Sequence, residues 1–273
     1  MNSTSLYMKK PRICAIEGNI GAGKTTIFEQ LKKHFKNNGS VVFMPEPVDI
    51  WETIRDASGK TILEKFYADP KYAFSFQIMA YSTRLAMLRK TIREHPDCEL
   101  IICERSLEAD RNIFAKMLFE SGKIEDVEYQ IYELLFQDTA AEFPLNCAVY
   151  IDSSPETCFS RIHKRARTGE SVIPLDYLQN CCTYYNKWLI PCEDKYSPTA
   201  TLSIPQTPTL VPRSLLREDV IALSEDQNAF GSTASQFPIL HLDTNADVSY
   251  EANDPDDQGN QWISQIIGFV SNL

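Results

Sequence analysis

No apolar run in the 273 residues approaches the roughly 20 needed to span a bilayer, so a membrane-spanning role is not expected. The opening stretch, Met1 to Lys10, is too short and too polar for a secretory signal. A long Arg-rich transit peptide is also missing, because an apolar run begins at Arg12, so the cytosol is the expected location and mitochondria the alternative. Basic residues are scarce: 27 Lys and Arg stand against 37 Asp and Glu, a net charge of −10. That balance argues against a nucleic-acid surface, which carries a basic stripe, and leaves any phosphate affinity to a local cluster of cations. Metal-ligand spacing is lacking too. Cys181 and Cys182 are adjacent, Cys192 follows without a CxxC interval, and His34, His95, His163 and His241 are scattered. Cys14, Cys103 and Cys147 fall inside apolar runs, where cysteine behaves as a small hydrophobe. A reduced intracellular protein without a structural metal is expected. No internal repeat is visible. The guanine-reading Asn-Lys-x-Asp motif of GTP switches is absent as well, since Asn186-Lys187-Trp188-Leu189 fails at its last position.

What is present centres on Gly18-Asn19-Ile20-Gly21-Ala22-Gly23-Lys24-Thr25, followed by Thr26. It fits the phosphate-binding pattern of Gly, four residues, then Gly-Lys-Ser/Thr. Before it, Arg12-Ile13-Cys14-Ala15-Ile16 suits a buried strand, and after it Thr26 to Lys32 has helical apolar spacing. Strand, glycine loop and helix is the order this chemistry needs. Glycines let backbone N–H groups close on phosphate oxygens, and the helix N-terminus adds partial positive charge. Lys24 then reaches the terminal phosphates and the Thr25 hydroxyl ligates Mg²⁺. The chain is expected to bind a nucleoside triphosphate such as ATP.

Further along, Gly39 is read as the stop of the first helix, and Val41-Val42-Phe43-Met44 is a second strand running into Pro45-Glu46-Pro47. Functional groups in open parallel sheets gather at strand carboxyl ends, so Glu46 is a candidate general base; a surface carboxylate in a turn is the alternative. Short helices between 51 and 67 break near Ser58-Gly59. A long helix from Ala73 to about Arg93 then carries Phe76, Gln77, Ala80, Tyr81 and Arg84 on one face. Gln and Arg among aromatics are costly to bury unless a ligand or partner satisfies them; exposure at a rim is the other explanation. The third strand, Glu99 to Cys103, runs into Glu104-Arg105-Ser106, and a helix from Leu107 to about Glu120 sets Asp110 and Phe114 one turn apart. A helix over 125–142, a fourth strand over 146–152 and a helix opened by Ser153 or Ser154 with Pro155 follow. That last helix leads into the one basic cluster, Arg161 to Arg167, ahead of Thr168-Gly169-Glu170. It is either a solvated helix face or a lid carrying arginines over a triphosphate. Beyond a helix over 174–193, residues 196–237 turn rich in Ser, Thr, Pro and Gln and are read as a mobile surface insertion. A fifth strand at 239–243 and a closing helix from Gln261 complete one domain over 1–273. The fold class is α/β: a P-loop NTPase-like three-layer fold with a five-stranded parallel sheet, helices on both faces and an Arg-rich lid.

These motifs in this order resemble the deoxynucleoside kinase family, especially its deoxycytidine and deoxyguanosine kinase branch. The resemblance covers the phosphate loop, Glu46-Pro47-Val48 with Trp51, Phe76-Gln77 through Arg84, Glu104-Arg105-Ser106 through Asp110, and Arg165-Ala166-Arg167 through Pro174-Leu175. It implies that Glu46 takes the proton of a deoxynucleoside 5′-hydroxyl, that Arg105 steers that hydroxyl and the phosphoryl group, and that Glu104 lies near Mg²⁺. Gln77 is similar to the family's base-reading amide, with Phe114 stacking on the ring and Trp51 and Phe76 walling the pocket. Tyr67 and Glu170 resemble the pair on the sugar 3′-hydroxyl, and Arg161, Arg165 and Arg167 the lid arginines on the phosphates. The Ala80, Arg84 and Asp110 set resembles enzymes that take deoxycytidine or deoxypurines rather than thymidine; an ordinary helix-to-helix ion pair is the alternative. The chain departs from the family at Gly169, where a second acidic residue is common, and at Val248, where an aromatic often packs on the donor base. The resemblance also implies a homodimer. A nucleoside monophosphate kinase and an inactive binding subunit share the fold, but Glu46-Pro47 together with Glu104-Arg105-Ser106 favours a nucleoside acceptor.

Overall fold

The computed structural model describes residues 10–166, 170–190, 237–250, 254 and 256–272. The segment read as an insertion, 196–237, lies outside these except for Phe237, as do Arg167 and Gly169. Five parallel strands form one sheet: β1 (Arg12–Gly18), β2 (Val41–Met44), β3 (Leu100–Glu104), β4 (Cys147–Asp152) and β5 (Ile239–Asp243). Their order is β2-β3-β1-β4-β5, with β1 at the centre. Successive residues of a strand face opposite sides, and β1 obeys this strictly. Ile13 and Ala15 join one buried cluster with Ile101, Cys103 and Tyr150, while Cys14 and Ile16 join another with Ile102, Cys147 and Val149. The first cluster lies under α4 (Ala73–Glu94), α7 (Asp126–Ala140) and α9 (Leu175–Leu189). The second lies under α1 (Lys24–His34), α8 (Pro155–Arg165) and α10 (Gln258–Ser271). This is the expected three-layer α/β architecture.

The chain leaves β1 toward β3 and β2 on one side and later toward β4 and β5 on the other, which opens a crevice at the carboxyl ends of β1 and β3. A third apolar cluster, built from Trp51 of α2 (Val48–Thr53), Phe66 of α3 (Ile62–Ala68) and Phe76 and Ala80 of α4, walls that crevice. Among the described residues no helix is long and apolar enough to cross a membrane.

Two expectations need correcting. Helix α1 ends at His34, not at Gly39: Phe35 caps it, and beyond it Asn38 closes a side-chain turn by accepting the Ser40 backbone N–H at 3.0 Å. The helix expected over 107–120 is built in three pieces: α5 (Leu107–Ala109), a π-helical turn (Asp110–Ala115) and α6 (Lys116–Glu120). Such turns cluster at functional sites, and this one carries both Asp110 and Phe114.

Candidate active site

The loop after β1 takes its shape from positions only glycine tolerates. Gly21 adopts φ 82°, and a β-carbon there would stand 2.6 Å from the Cys158 carbonyl oxygen of α8. Gly18 is equally confined, at 2.5 Å from the Ile151 carbonyl oxygen. Gly23 adopts φ 101° as it caps α1, a left-handed conformation that costs other residues about 1–2 kcal/mol. Gly21→Ala is therefore expected to weaken binding of a nucleoside triphosphate by more than about tenfold, since strain of that size adds to the clash with α8. Titration of ATP into the folded variant checks this, and an unchanged Kd would refute it. The Asn19 side chain turns away from the crevice, donating to the Leu178 carbonyl at 2.8 Å and accepting the Ile20 N–H. Ala22 is buried in the loop.

The crevice holds a cavity of about 290 Å³ lined at one end by Gly21, Gly23, Lys24, Thr25 and Thr26 with Ile20. Lys24 donates to the Asn19 carbonyl at 2.8 Å; burial, aided by the Arg105 cation, lowers its ammonium to about 8. Thr25 donates its hydroxyl to Glu104 Oε1 at 2.7 Å. These two oxygen donors beside the phosphate loop suit Mg²⁺, which binds one or two protein oxygens and leaves its other positions to phosphate and water.

Further in, Glu46 Oε1 accepts from Arg105 Nε at 2.9 Å and from Arg84 Nη2 at 3.4 Å. Burial alone would raise the Glu46 carboxyl, but Arg105, Arg84 and Lys24 outweigh it and hold the group below the ordinary carboxylate range. It is ionised at neutral pH. Arg105 adopts φ 66° and lies 4.7 Å from the Phe114 ring centre. Its guanidinium also donates to the Gly18 carbonyl at 3.1 Å.

The inner wall is aromatic. Trp51 meets Phe76 edge-on at 5.5 Å and anchors its indole N–H on Thr83 Oγ1 at 2.9 Å. Gln77 and Ala80 line the cavity beside them. Gln77 is 2% exposed as a residue, and its amide has no hydrogen-bond partner among the described residues. The amide faces the cavity, where its donor and acceptor are open to a polar ligand. Arg84 is wholly buried and does not line the cavity. It donates to Asp110 Oδ2 at 2.9 Å and to the Glu104 carbonyl at 2.8 Å, and Asp110 itself faces the cavity. Neither Gln77 nor Arg84 sits at an exposed rim.

Tyr67 and Glu170 reach the opposite wall. Glu170 is paired with Arg165 at the end of α8. Arg161 braces the loop instead, bonding the Ser153 hydroxyl at 3.1 Å and the Ala246 carbonyl at 2.9 Å. One cavity thus gathers the phosphate loop, Glu46, Trp51, Tyr67, Phe76, Gln77, Ala80, Glu104, Arg105, Asp110, Phe114, Arg161, Arg165 and Glu170, while Arg84 lies just behind it.

Sequence reasoning passed over Glu17 and Tyr185. Glu17 is the one acidic residue of the otherwise largely apolar β1, a detectable signal, whereas Tyr185 shares the apolar spacing of Leu178, Cys181 and Trp188 on α9 and looks like ordinary core.

Comparison with known proteins agrees with this geometry. The deoxynucleoside kinase family matches residues 13–267. Deoxycytidine kinase 2 of Gallus gallus is 34% identical over 208 residues, covering 68% of this chain and 76% of the relative. Mitochondrial thymidine kinase 2 of Homo sapiens is 34% identical over 184 residues, covering 67% and 65% respectively. Mitochondrial deoxyguanosine kinase of Xenopus laevis is 30% identical over 205 residues, covering 68% and 76%. The chain belongs to the deoxynucleoside kinase family and is a phosphotransferase that phosphorylates nucleosides.

Proposed function

We propose that this enzyme transfers the γ-phosphoryl group of ATP to the 5′-hydroxyl of deoxycytidine or a deoxypurine in preference to thymidine. The observation that carries the preference is the inner wall. The unpartnered Gln77 amide offers a donor and an acceptor to a base edge, and the Asp110 carboxylate beside it offers an acceptor to an exocyclic amino group. Thymine has no such amino group. Arg84 orients Asp110 from behind, and small Ala80 leaves room for the base, which stacks on Phe114.

In this reading Glu46 accepts the 5′-hydroxyl proton and Arg105 steers the hydroxyl toward the phosphoryl group. Tyr67 and Glu170 hold the 3′-hydroxyl. Lys24, Arg161, Arg165 and Arg167 neutralise the phosphates, and Thr25 and Glu104 hold Mg²⁺, which supplies charge neutralisation when bound. Phosphoryl transfer demands little covalent help, so positioning and charge account for most of the catalysis. Steady-state assays on the four deoxynucleosides and their ribose counterparts, with ATP and Mg²⁺, test the preference. The highest kcat/KM is expected on an amino-bearing base, and thymidine as the best substrate would refute it.

We read the functional unit as one domain over 1–273, acting as a homodimer in the cytosol. Support for the dimer comes from α7, where Val127, Ile131 and Leu134 stand exposed at 65%, 50% and 45% on one helical face. Ile131→Lys is expected to convert dimer to monomer in sedimentation; a monomeric parent protein would remove the dimer reading.

A further inference from the structure

Beneath the phosphate loop lies a buried polar chain to which the roles given above assign nothing. Glu17, the residue before Gly18, is 0% exposed and points to the side of β1 that carries Ile13 and Ala15, under α9. Its Oε1 accepts the Ser106 hydroxyl at 2.6 Å and its Oε2 accepts the Tyr185 hydroxyl at 3.2 Å. Ser106 Oγ in turn accepts the Ala109 backbone N–H at 3.0 Å. The Tyr185 oxygen accepts from Arg105 Nη1.

The direction of every bond is fixed by its ends. A guanidinium can only donate, and a carboxylate can only accept. Arg105 therefore donates to Tyr185, and Tyr185 donates to Glu17, in a bond that is charge-assisted while Glu17 is ionised. A proton on Glu17 would face two hydroxyls that already point their hydrogens at it. One hydroxyl would have to turn to let the acid donate, or its bond would weaken to one with a neutral acceptor. The chain is thus strongest with Glu17 ionised, and its far end is the Nη1 of the residue that meets Glu46.

Arg105 needs such support. Its backbone is left-handed at φ 66°, a conformation a non-glycine residue keeps only when its surroundings hold it. Phe114 and Glu46 hold the guanidinium on the cavity side. Gly18 and Tyr185 hold it from below. We propose that Glu17 and Tyr185 are positioning residues for phosphoryl transfer, acting through their buried hydrogen-bonded chain to hold Arg105 against Glu46. The proposal rests on the roles given above to Glu46 and Arg105. Neither positioning residue touches substrate; both work through Arg105.

The chain also makes the device sensitive to pH. Burial raises the Glu17 carboxyl to about 7, against the Ser106 hydrogen bond and the cations Arg105, Arg84 and Lys24. Glu108, Cys14 and Cys103 also lie within its electrostatic reach, and its charge disfavours ionisation of each. Below that pH Glu17 takes up a proton, and its bond with Tyr185 weakens as the acceptor loses its charge. Activity should fall on the acid side near pH 7, well above the range where Glu46 itself titrates.

The test uses Tyr185→Phe and Glu17→Gln in the full chain, with kcat, both KM values and the pH profile of kcat as readouts. Tyr185→Phe keeps its ring on Tyr150, whose centroid lies 5.6 Å away, so the fold is expected to survive even if Glu17→Gln does not. Each variant is expected to lower kcat about 10- to 100-fold through misplacement of Arg105, with either KM changing less than about threefold. The double variant should be no worse than the poorer single one by more than about threefold, since both break one chain. The acid limb near pH 7 should vanish in Glu17→Gln. A kcat within about twofold of the parent in Tyr185→Phe, or an acid limb unmoved in Glu17→Gln, would overturn the proposal. Glu46→Gln run alongside separates the failures. If it is inactive while Tyr185→Phe is normal, only the chain is refuted; if it is fully active, the base assignment beneath the chain falls first.

Discussion

Glu46→Gln is expected to lower kcat about 10²- to 10⁴-fold, the span that a positioned general base contributes, while ATP binding holds or tightens. The expectation follows from what surrounds the carboxylate. Three cations, Arg105, Arg84 and Lys24, keep it ionised at neutral pH, so it is ready to accept a proton without a prior titration step. Gln preserves the shape and one acceptor, so Arg105 Nε keeps a partner where it now has Oε1 at 2.9 Å. What disappears is the capacity to take a proton. Removing a negative charge from the end of a phosphate site also lessens repulsion of the triphosphate, which is why binding should not weaken. The same substitution changes the acid stability of the free protein in a predictable direction. A carboxyl held below its ordinary value contributes stability that is fully present above the ordinary carboxylate range and is lost as pH falls through the lowered value. Glu46→Gln should remove that increment, so its acid-unfolding curve should be shallower than the parent's. A kcat within about threefold of the parent would exclude Glu46 as the base, whatever the stability did.

The phosphate loop, the five strands and the charged strand ends were legible in the chain because each carries a local constraint. Gly18 and Gly21 are needed where a β-carbon would strike a neighbouring backbone, and the buried strands show as short apolar runs closed by Pro45-Glu46-Pro47 or Glu104-Arg105-Ser106. Gln77 and Arg84 were legible as misfits on an apolar helical face, and both prove buried. Long-range partnerships were not. The Tyr185–Glu17 bond spans 168 positions, and a tyrosine at core spacing gives no hint of what its hydroxyl meets. The pairing of Arg165 with Glu170 is invisible for a different reason: it joins a residue expected on phosphate to one expected on sugar. The π-helical turn at Asp110–Ala115 also escapes a 3.6-residue pattern, because a single i→i+5 turn inside a helix is too short to show a period of its own.

That turn sets up the second large effect. Asp110→Ala is expected to destabilise the protein by about 3–5 kcal/mol, the cost of stranding a buried charge after its partner is removed. Arg84 has no exposed surface, and without Asp110 its remaining partners are the Glu104 carbonyl at 2.8 Å and Glu46 at 3.4 Å. The freed guanidinium would pull harder on Glu46, so turnover should fall with stability. Arg84→Met taken alone should be similarly costly, because it leaves the Asp110 carboxylate buried without its cation. The double variant Arg84→Met/Asp110→Ala removes both charges and should recover most of the lost stability, as replaced buried pairs commonly do. This contrast separates packing from recognition. If Asp110 reads the exocyclic amino group, the double variant folds, yet its preference for deoxycytidine or deoxypurines over thymidine narrows by at least about tenfold, the worth of one hydrogen bond to a buried partner. Thermal melts and kcat/KM ratios on the same preparations provide both numbers. A recovered melting temperature with an unaltered substrate ratio would leave the Arg84–Asp110 pair as a strut between α4 and the π-helical turn, and would move base selection to Gln77 alone.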